Sequence, residues 1–261
     1  MAIIKNHRLE YEVGQIDVTY PKNDKETYFG SVPVIVPNNW TPWLGVKKGD
    51  LISLEGKQYR VLKKSGSVVE VLAMYDAGDT TFGDSINYPG CTLDTYCDEV
   101  FYNNLSADMK NAIVEKNFSQ DSWYAGTTLS DTQGNPIYQG RTDQETYTLG
   151  LGSMAFGITI SRRCYVLSVQ DVIDYLEVTA SMTSENTTLT NENVWKMFWN
   201  QTTSPGLTYP WLRSAEAKED TNFVYHIFGR FGKIDLIDAS GTEAVRPAFQ
   251  IDLSKIDFKE V

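Results

Sequence analysis

The stretch YPWLRSAEAKEDTNFVYHIFGRFGKIDLIDASGTEAVRPAF, from Tyr209 to Phe249, gives the clearest indication of the fold. It opens with the aromatic and arginine block WLRS and closes with the block VRPAF, and turn residues with exposed charges separate two apolar alternations. We expect the two blocks to be neighbouring strands whose side chains are buried scaffolding. The charged material between them would then point outward and form a display surface.

Other stretches of the sequence also predict antiparallel sheets. GDLISLEGKQYRVLKKSGSVVEVLAMY, from Gly49, contains three β-rich runs separated by glycine turns, which is typical of a meander. NFVYHIF, KIDLIDA and VRPAFQIDL predict a second meander of three strands. Residues 76–95 are predicted to be a loop, and the polar segment 118–160 is expected to hold a hairpin or a functional loop.

Helices are predicted between the two meanders. One short helix covers YCDEVFYNN, and a second runs from an N-cap at Ser106 to about Lys116. CYVLS reads as a strand that leads into a helix with Ser168 as N-cap and Asp171 in the first turn, and ENVWKMFWN predicts one more helix. The fold class is therefore α+β, with antiparallel sheets and a few short helices.

The first 48 residues read as an extended β arm, separate from a domain that covers residues 49–261. SVPVIVP is a β-branched run bounded by Pro33 and Pro37, and proline confines a strand to an edge or a bulge. We expect this arm to serve docking or oligomerisation by strand exchange.

The composition indicates which classes of partner and which cellular location are expected for the protein. Asp and Glu (34) exceed Lys and Arg (23), so the net charge is −11, which disfavours nucleic acid and anionic membranes. The sequence has no apolar run long enough to span a bilayer, and its first residues do not form a signal peptide. Tyr (15) and Trp (6) are plentiful, which suits both recognition surfaces and β-rich proteins.

Metal sites and cofactors are not expected. Cys91, Cys97 and Cys164 match no common zinc spacing, and three idle thiols are favoured over a Cys91–Cys97 bridge. The acidic loops around Asp79 and Asp131 could bind Ca²⁺, but neither has the EF-hand pattern. GLGSMAFG lacks the Lys-Ser/Thr of a P-loop.

The order of these motifs resembles DUF6273, a bacterial and phage domain family of unknown function. GDLISLEGKQYRVL, DEVFYNNLSADMKNAIV, RRCYVLSVQDVIDYL, YPWLRS and GTEAVRPAFQIDL carry the resemblance over about residues 49–253. The sequence departs from the family pattern at Tyr59, where the family often has Trp, at Pro210, which replaces the first Trp of WWLRS, and at Ala244-Val245, which replaces Gly-Val.

The resemblance implies a relative of the C-type-lectin-like fold, in which the last strands hold the framework and the loops between them contact ligands. Formylglycine-generating enzymes use that fold with cysteines near the C-terminus, and no cysteine follows Cys164 here. The resemblance therefore does not carry their activity to this chain.

The arginines of the two blocks have two readings, a carboxylate or sulfate clamp and a structural framework. We favour the framework for Trp211, Arg213, Arg246 and Pro247, because a guanidinium has five rigid donors that suit loop carbonyls and buried carboxylates.

Ligand contacts are expected from the segment between the blocks. The side chains that could meet a polar ligand on these loop tips and strands are Glu216, Lys218, Asp220, His226, Arg230 and Asp238. His226 also has the blander reading of a packed strand residue. With only two histidines and no GxSxG elbow, the sequence offers no catalytic constellation.

The sequence thus favours a non-enzymatic structural protein of a phage virion, on the tail, the baseplate or the capsid, made in the host cytoplasm. It would present a lectin-like module to a host-surface glycan or protein and assemble with itself and other virion proteins. The alternative is a bacterial module that binds a glycan or a protein and is not part of a virion.

Overall fold

A computed structural model gives the architecture of the chain. It describes residues 15–22, 26–33, 42–120, 122–123, 128–130, 136–139, 159–177, 191–199, 208–216, 222–228 and 233–261. The statements below concern these residues.

The first of two large sheets contains the N-terminal meander. Its strands are β3 (Leu51–Leu54), β4 (Lys57–Ser65), β5 (Val68–Ala73), β7 (Ile113–Val114), β17 (Ala248–Asp252) and β18 (Lys259–Glu260). They lie in the order β18-β3-β4-β5-β17-β7, and every pairing is antiparallel. The predicted meander of β3, β4 and β5 is confirmed. Its first turn places Glu55 and Gly56 at positive φ, which suits a tight hairpin.

The second large sheet contains the WLRS block. Its strands are β9 (Ser122–Trp123), β10 (Thr128–Ser130), β11 (Pro136–Gln139), β13 (Trp211–Glu216), β14 (Phe223–Phe228) and β15 (Lys233–Asp238). The order is β10-β11-β15-β14-β13-β9, with parallel pairing at β11–β15 and β13–β9. The hairpin expected within 118–160 is present as β10 and β11.

Three two-stranded ribbons complete the strands. They pair β1 (Gln15–Lys22) with β2 (Glu26–Pro33), β8 (Lys116–Ser119) with β12 (Thr159–Arg162), and β6 (Asp79–Thr81) with β16 (Thr242–Ala244). The first ribbon gives the N-terminal segment its described structure, an antiparallel pair of two eight-residue strands.

The helices are short, as expected for this α+β fold. They are a 3₁₀ turn (Pro42–Leu44), α1 (Thr92–Thr95) with a π-helical continuation (Tyr96–Phe101), α2 (Ala107–Ala112), α3 (Val169–Leu176) and α4 (Asn191–Trp199). The predicted N-caps are confirmed: Ser106 accepts from the N–H of Met109, and Ser168 forms a capping box with Asp171. None of the described helices is long and apolar enough to cross a membrane.

The second predicted meander is wrong in its third strand. β14 and β15 pair as expected, but β17 joins the other sheet between β5 and β7. The prediction that WLRS and VRPAF pair as neighbouring strands of one sheet is therefore also wrong. The residues directly before the two blocks do meet, because Pro210 and Ala244 form a parallel bridge. The chain segment after Cys164 also connects the blocks, because Tyr165 pairs with Ala248 and the carbonyl of Leu167 accepts from the N–H of Arg213.

Three local predictions also need correction. The predicted loop 76–95 contains β6 and the start of the helical segment. The helix that begins after Ser106 ends at Ala112 rather than near Lys116, because Ile113 and Val114 pair with β17. The stretch CYVLS makes only an isolated bridge at Tyr165 and is not a strand.

One hydrophobic core connects the two large sheets and the helices. Its largest fully buried side chains include Trp211, Tyr59, Tyr88, Tyr165, Tyr225, Phe82, Phe198 and Phe249. Burial of this much aromatic surface supplies the main driving force for folding. The loops and strand ends that leave this core carry the candidate sites.

Candidate ligand-binding site

Trp211 and Arg213 lie inside the protein on β13. The indole N–H of Trp211 donates to the carbonyl of Thr80 at 2.8 Å, which attaches β6 to the second large sheet. The Arg213 guanidinium donates through Nη1 to the carbonyl of Val166 at 2.8 Å and to Oδ2 of Asp171 at 2.6 Å. Both side chains therefore hold neighbouring segments in place.

Arg213 belongs to a wider polar network, which we call the Arg213 joint (Glu70, Lys116, Tyr165, Asp171 and Arg213). Lys116 lies 2.7 Å from Oε1 of Glu70 and 3.5 Å from Oδ1 of Asp171, and the Tyr165 hydroxyl donates to Glu70 at 2.7 Å. Burial would raise the pKa of Asp171, but the positive charges of Arg213 and Lys116 outweigh it and hold that pKa below its usual range. The joint connects β5, β8, α3 and β13.

Arg246 and Pro247 lie just before β17 and are also buried. Nε of Arg246 donates to Oδ1 of Asp76 at 2.6 Å, and Nη1 donates to the carbonyl of Phe198. That carbonyl belongs to the last turn of α4, where backbone acceptors lack intrahelical partners. The guanidinium therefore satisfies a helix end.

The charged segment between the blocks does not all point outward. Glu216 is the last residue of β13 and is only 1% exposed, so the expectation of a surface position is wrong for it. At this position β13 pairs in parallel with β9, and Glu216 lies opposite Trp123 in the register. Asp238 is exposed, but its Oδ1 accepts from the N–H and hydroxyl of Ser240 and from Asn222. Lys218, Asp220 and Arg230 lie outside the described residues.

His226 lies in a different environment, among aromatic rings. Its imidazole stacks on the ring of Tyr209, with the two ring centroids 5.8 Å apart. The ring centroids of Trp211 and Phe228 lie 6.5 Å and 6.2 Å from the imidazole centroid. The rings of Tyr209 and Phe228 lie 5.0 Å apart and both residues are half-buried. These rings form an aromatic wall that is buried at Trp211 and partly open at Tyr209 and Phe228.

A carboxylate completes this group. Oε1 of Glu243, on β16, lies 3.8 Å from Nδ1 of His226, and the Glu243 side chain is 13% exposed. We call Tyr209, Trp211, His226, Phe228 and Glu243 the aromatic–carboxylate cluster. Within the described part of the chain, the buried Nδ1 has no hydrogen-bond partner, although buried polar atoms normally have one.

The cluster shifts the protonation of both titratable groups. Burial lowers the pKa of His226 to about 4, so the imidazole is neutral at pH 7. Burial, and then the nearby charge of Asp79, raise the pKa of Glu243 to about 7. A carboxyl group that titrates near neutrality at a partly open position is typical of a functional site.

The sequence indicated His226 but not Tyr209, Phe228 or Glu243. The alternation in FVYHIF places His226 and Phe228 on one face of the strand, so Phe228 could have been found. Glu243 could not, because β16 is held beside the cluster by pairing with the remote β6 and by the bridge between Ala244 and Pro210.

A second candidate is a surface cleft of about 440 Å³. Its lining residues are Lys48, Gly49, Arg60, Tyr175, Leu176, Glu177, Lys196 and Met197. Its polar groups are already engaged: Arg60 donates to the carbonyls of Gly49 and Met197, and Lys48 pairs with Glu177 at 2.6 Å. This cleft therefore offers less to a ligand than the aromatic–carboxylate cluster does.

The described residues offer few groups for a metal-binding site or for a reactive thiol. No group of three or more His, Cys, Asp or Glu side chains in those ranges is placed to hold a metal ion. Cys91, Cys97 and Cys164 are free thiols. Burial raises the pKa of the Cys91 thiol to about 12 and raises that of Cys97 even more strongly, which makes both poor nucleophiles.

Comparison with known families decides the relationship. The family model of DUF6273, a domain of unknown function, matches residues 71–253, which is more than half of the chain. The chain belongs to the DUF6273 family. The match begins within β5, so β3, β4 and the first three residues of β5 precede it, whereas the motifs quoted above begin at about residue 49. Neither a curated protein nor a solved structure matches the chain.

Proposed function

We propose that this DUF6273 chain is a non-enzymatic ligand-binding module and that the aromatic–carboxylate cluster is its binding site. The observation that carries the proposal is the buried Nδ1 of His226, which lacks a partner among the described residues beside two half-buried rings and a partly open carboxylate. A bound ligand would satisfy that nitrogen and cover the rings.

Binding is favoured over catalysis by the surroundings of Glu243. A carboxyl group with a pKa near 7 also suits proton transfer. In the described part of the chain, however, no hydroxyl or thiol is hydrogen-bonded to Glu243 or to Nδ1 of His226. We therefore assign the pair to ligand recognition.

We also propose that the fold is of the C-type-lectin-like kind. Its support is the position of the cluster, which draws on β13, β14 and β16, the strands that come shortly before the closing strand β17. That likeness implies ligand contacts on the loops between the last framework strands, and Tyr209 lies just before β13 while Phe228 is the last residue of β14.

The module is proposed to be carried on a phage particle, with residues 1–48 as the docking arm. The β1–β2 hairpin supports this assignment, since its eight paired residues on each strand form a separate two-stranded sheet. A lone two-stranded hairpin is marginally stable in water, so it gains most by adding to another chain. The partners would be other virion proteins and further copies of this chain.

Deletion of residues 1–45 tests the docking role. The truncated chain is expected to stay folded, with a lower melting temperature because Trp43 no longer packs against the core. It should be missing from purified particles and run as a smaller species in light scattering. A truncated chain that still assembles into particles would refute the docking arm. Absence of the full-length chain from particles would favour the alternative, a bacterial binding module outside a virion.

An array of glycans and peptides tests the binding role. The full chain is expected to bind some array members, and Tyr209→Ala and Phe228→Ala should each lower that binding at least tenfold. Leu44→Ser is the matched control, because Leu44 is 70% exposed and lies far from these strands in sequence. Equal loss in all three variants, or no binding by the full chain, would contradict the proposal.

A further inference from the structure

The aromatic–carboxylate cluster offers acceptors and ring faces but no positive charge. With its proton on Nε2, the neutral His226 ring presents Nδ1 as an acceptor, and Glu243 presents carboxylate oxygens. The gap of 3.8 Å between Nδ1 and Oε1 is too long for a hydrogen bond between them. Among the described residues, no lysine or arginine pairs with Glu243.

We propose that this site binds the primary ammonium group of a ligand, which donates one N–H to Nδ1 of His226 and another to a carboxylate oxygen of Glu243. This inference rests on the proposed function and names the ligand class of the same site.

The donor count favours an ammonium group over a hydroxyl group. A single hydroxyl has one hydrogen to donate, whereas an ammonium group has three and can satisfy both acceptors across the 3.8 Å gap. Such hydrogen bonds are charge-assisted on the donor side, which makes them stronger than those of a neutral donor.

The aromatic rings and the negative net charge of the protein also favour a cationic ligand. Cations are attracted to the faces of aromatic rings, and the half-buried rings of Tyr209 and Phe228 border the cluster. The net charge of −11 attracts cationic ligands at long range. The nearest described titratable groups around Glu243 are His226 on β14 and Asp79 on β6, and neither repels a cation at pH 7.

Binding of an ammonium group should be coupled to proton release. Because the pKa of Glu243 is about 7, about half of these carboxyl groups carry a proton at pH 7 in the free protein. An ammonium group binds the ionised form, so each binding event at that pH should release about half a proton. Affinity for the lysine amide, whose side-chain amine has a pKa of about 10.4 and stays charged, should then rise from pH 6 to pH 8.

The experiment is calorimetric titration of the full chain with four probes in two matched pairs. Glucosamine and the amide of Nα-acetyl-lysine carry a free amine, on a sugar and on an aliphatic chain. N-Acetylglucosamine and the amide of diacetylated lysine are their neutral counterparts. At least one amine is expected to bind at least tenfold more tightly than its neutral counterpart, and the preferred pair identifies the amine's source. Repetition in buffers of different ionisation enthalpy measures the proton release.

The matched variants are Glu243→Gln, Tyr209→Ala and Leu44→Ser, each checked for an unchanged melting transition. Glu243→Gln should abolish the preference for the amine and the proton release, while Leu44→Ser should keep both. If Glu243→Gln unfolds, the proton release of the unmodified chain remains decisive.

Failure of this inference is distinguishable from failure of the proposed function. Neutral probes that bind as well as the amines, with loss only in Tyr209→Ala, would overturn the ammonium site and leave the binding module standing. Amine binding that survives Glu243→Gln unchanged would overturn it as well. If none of the probes binds but array ligands still depend on Tyr209, the ammonium site is again wrong. Absence of array binding would overturn the proposed function itself.

Discussion

Replacement of Arg213 by Met should destabilise the protein strongly. Met keeps much of the apolar stem but removes the guanidinium, which is 4% exposed and lies 2.6 Å from Asp171 and 2.8 Å from the carbonyl of Val166. The substitution also removes the stacking of the guanidinium on Phe118, whose ring centroid lies 4.3 Å away. Asp171 would lose its closest positive charge.

The structure sets the size of this effect. Removal of one partner from a buried ion pair costs about 3–5 kcal/mol. Asp171 is still 20% exposed, keeps Lys116 at 3.5 Å, and keeps the N–H of Ser168 at 2.9 Å. We therefore expect the lower end, about 3 kcal/mol of lost unfolding free energy.

Urea unfolding followed by tryptophan fluorescence measures the loss. With a slope of about 3 kcal/mol per molar, the midpoint should fall by about 1 M. Arg163→Met is the matched control, because Arg163 also pairs with an aspartate, Asp98, but its side chain is 35% exposed. That control should lose only about 1 kcal/mol.

A double-mutant cycle isolates the ion pair. Asp171→Asn in the Arg213→Met background should cost clearly less than in the unmodified chain, because the pair is already broken. If Arg213→Met shifts the midpoint no more than Arg163→Met does, or if the cycle shows no coupling, the Arg213 joint does not hold the sheets together as described.

Three further predictions concern the framework. Ser168→Ala removes the N-cap of α3 and should lower the unfolding free energy measured in urea by about 1 kcal/mol. No measurable change would show that the capping box does not contribute to stability. Gly78→Ala should lower the unfolding free energy by about 2–3 kcal/mol, because Gly78 has φ +148° and an added Cβ would overlap the Tyr96 hydroxyl. Gly56→Ala is the control and should cost about 1 kcal/mol, because Gly56 has φ +82° but open space around it. Equal losses in the two variants would contradict this prediction. Folding lowers the pKa of Asp171. The ionised Asp171 therefore contributes its full stabilisation when the pH is well above its unfolded pKa of about 3.9, and this stabilisation is lost as the pH falls below that value. The difference in unfolding free energy between the unmodified chain and Asp171→Asn should therefore shrink between pH 5 and pH 3.

Local structure was predictable wherever the signal was local. The turns at Gly56 and Gly66 mark the ends of β3 and β4, and both glycines have positive φ. The N-caps Ser106 and Ser168 were readable because capping depends on a side chain and a backbone N–H three residues later.

Strand pairing between distant segments was not predictable in the same way. The closing strand β17 follows β15 and β16 closely in sequence, yet it pairs with β5, so that Phe249 lies opposite Val71. The alternation of apolar residues shows which side chains are buried but does not identify the partner strand. The burial of Glu216 was not predictable either, because its polar side chain and the turn-rich sequence after it indicated a loop at the surface.

The candidate site was predictable only in part. His226 was recognisable as a histidine in an alternating strand, but no local pattern places Glu243 beside it. That contact depends on the pairing of β16 with β6 and on the bridge between Ala244 and Pro210. Tertiary structure, not local pattern, assembles the site.

A crystal structure of the full chain with its best array ligand would show where the ligand binds. We expect ligand density against the rings of Tyr209 and Phe228, with a donor within hydrogen-bond distance of Nδ1 of His226. Density in the cleft beside Arg60 and Tyr175 instead, with Nδ1 still unpaired, would mean that the aromatic–carboxylate cluster is not the binding site.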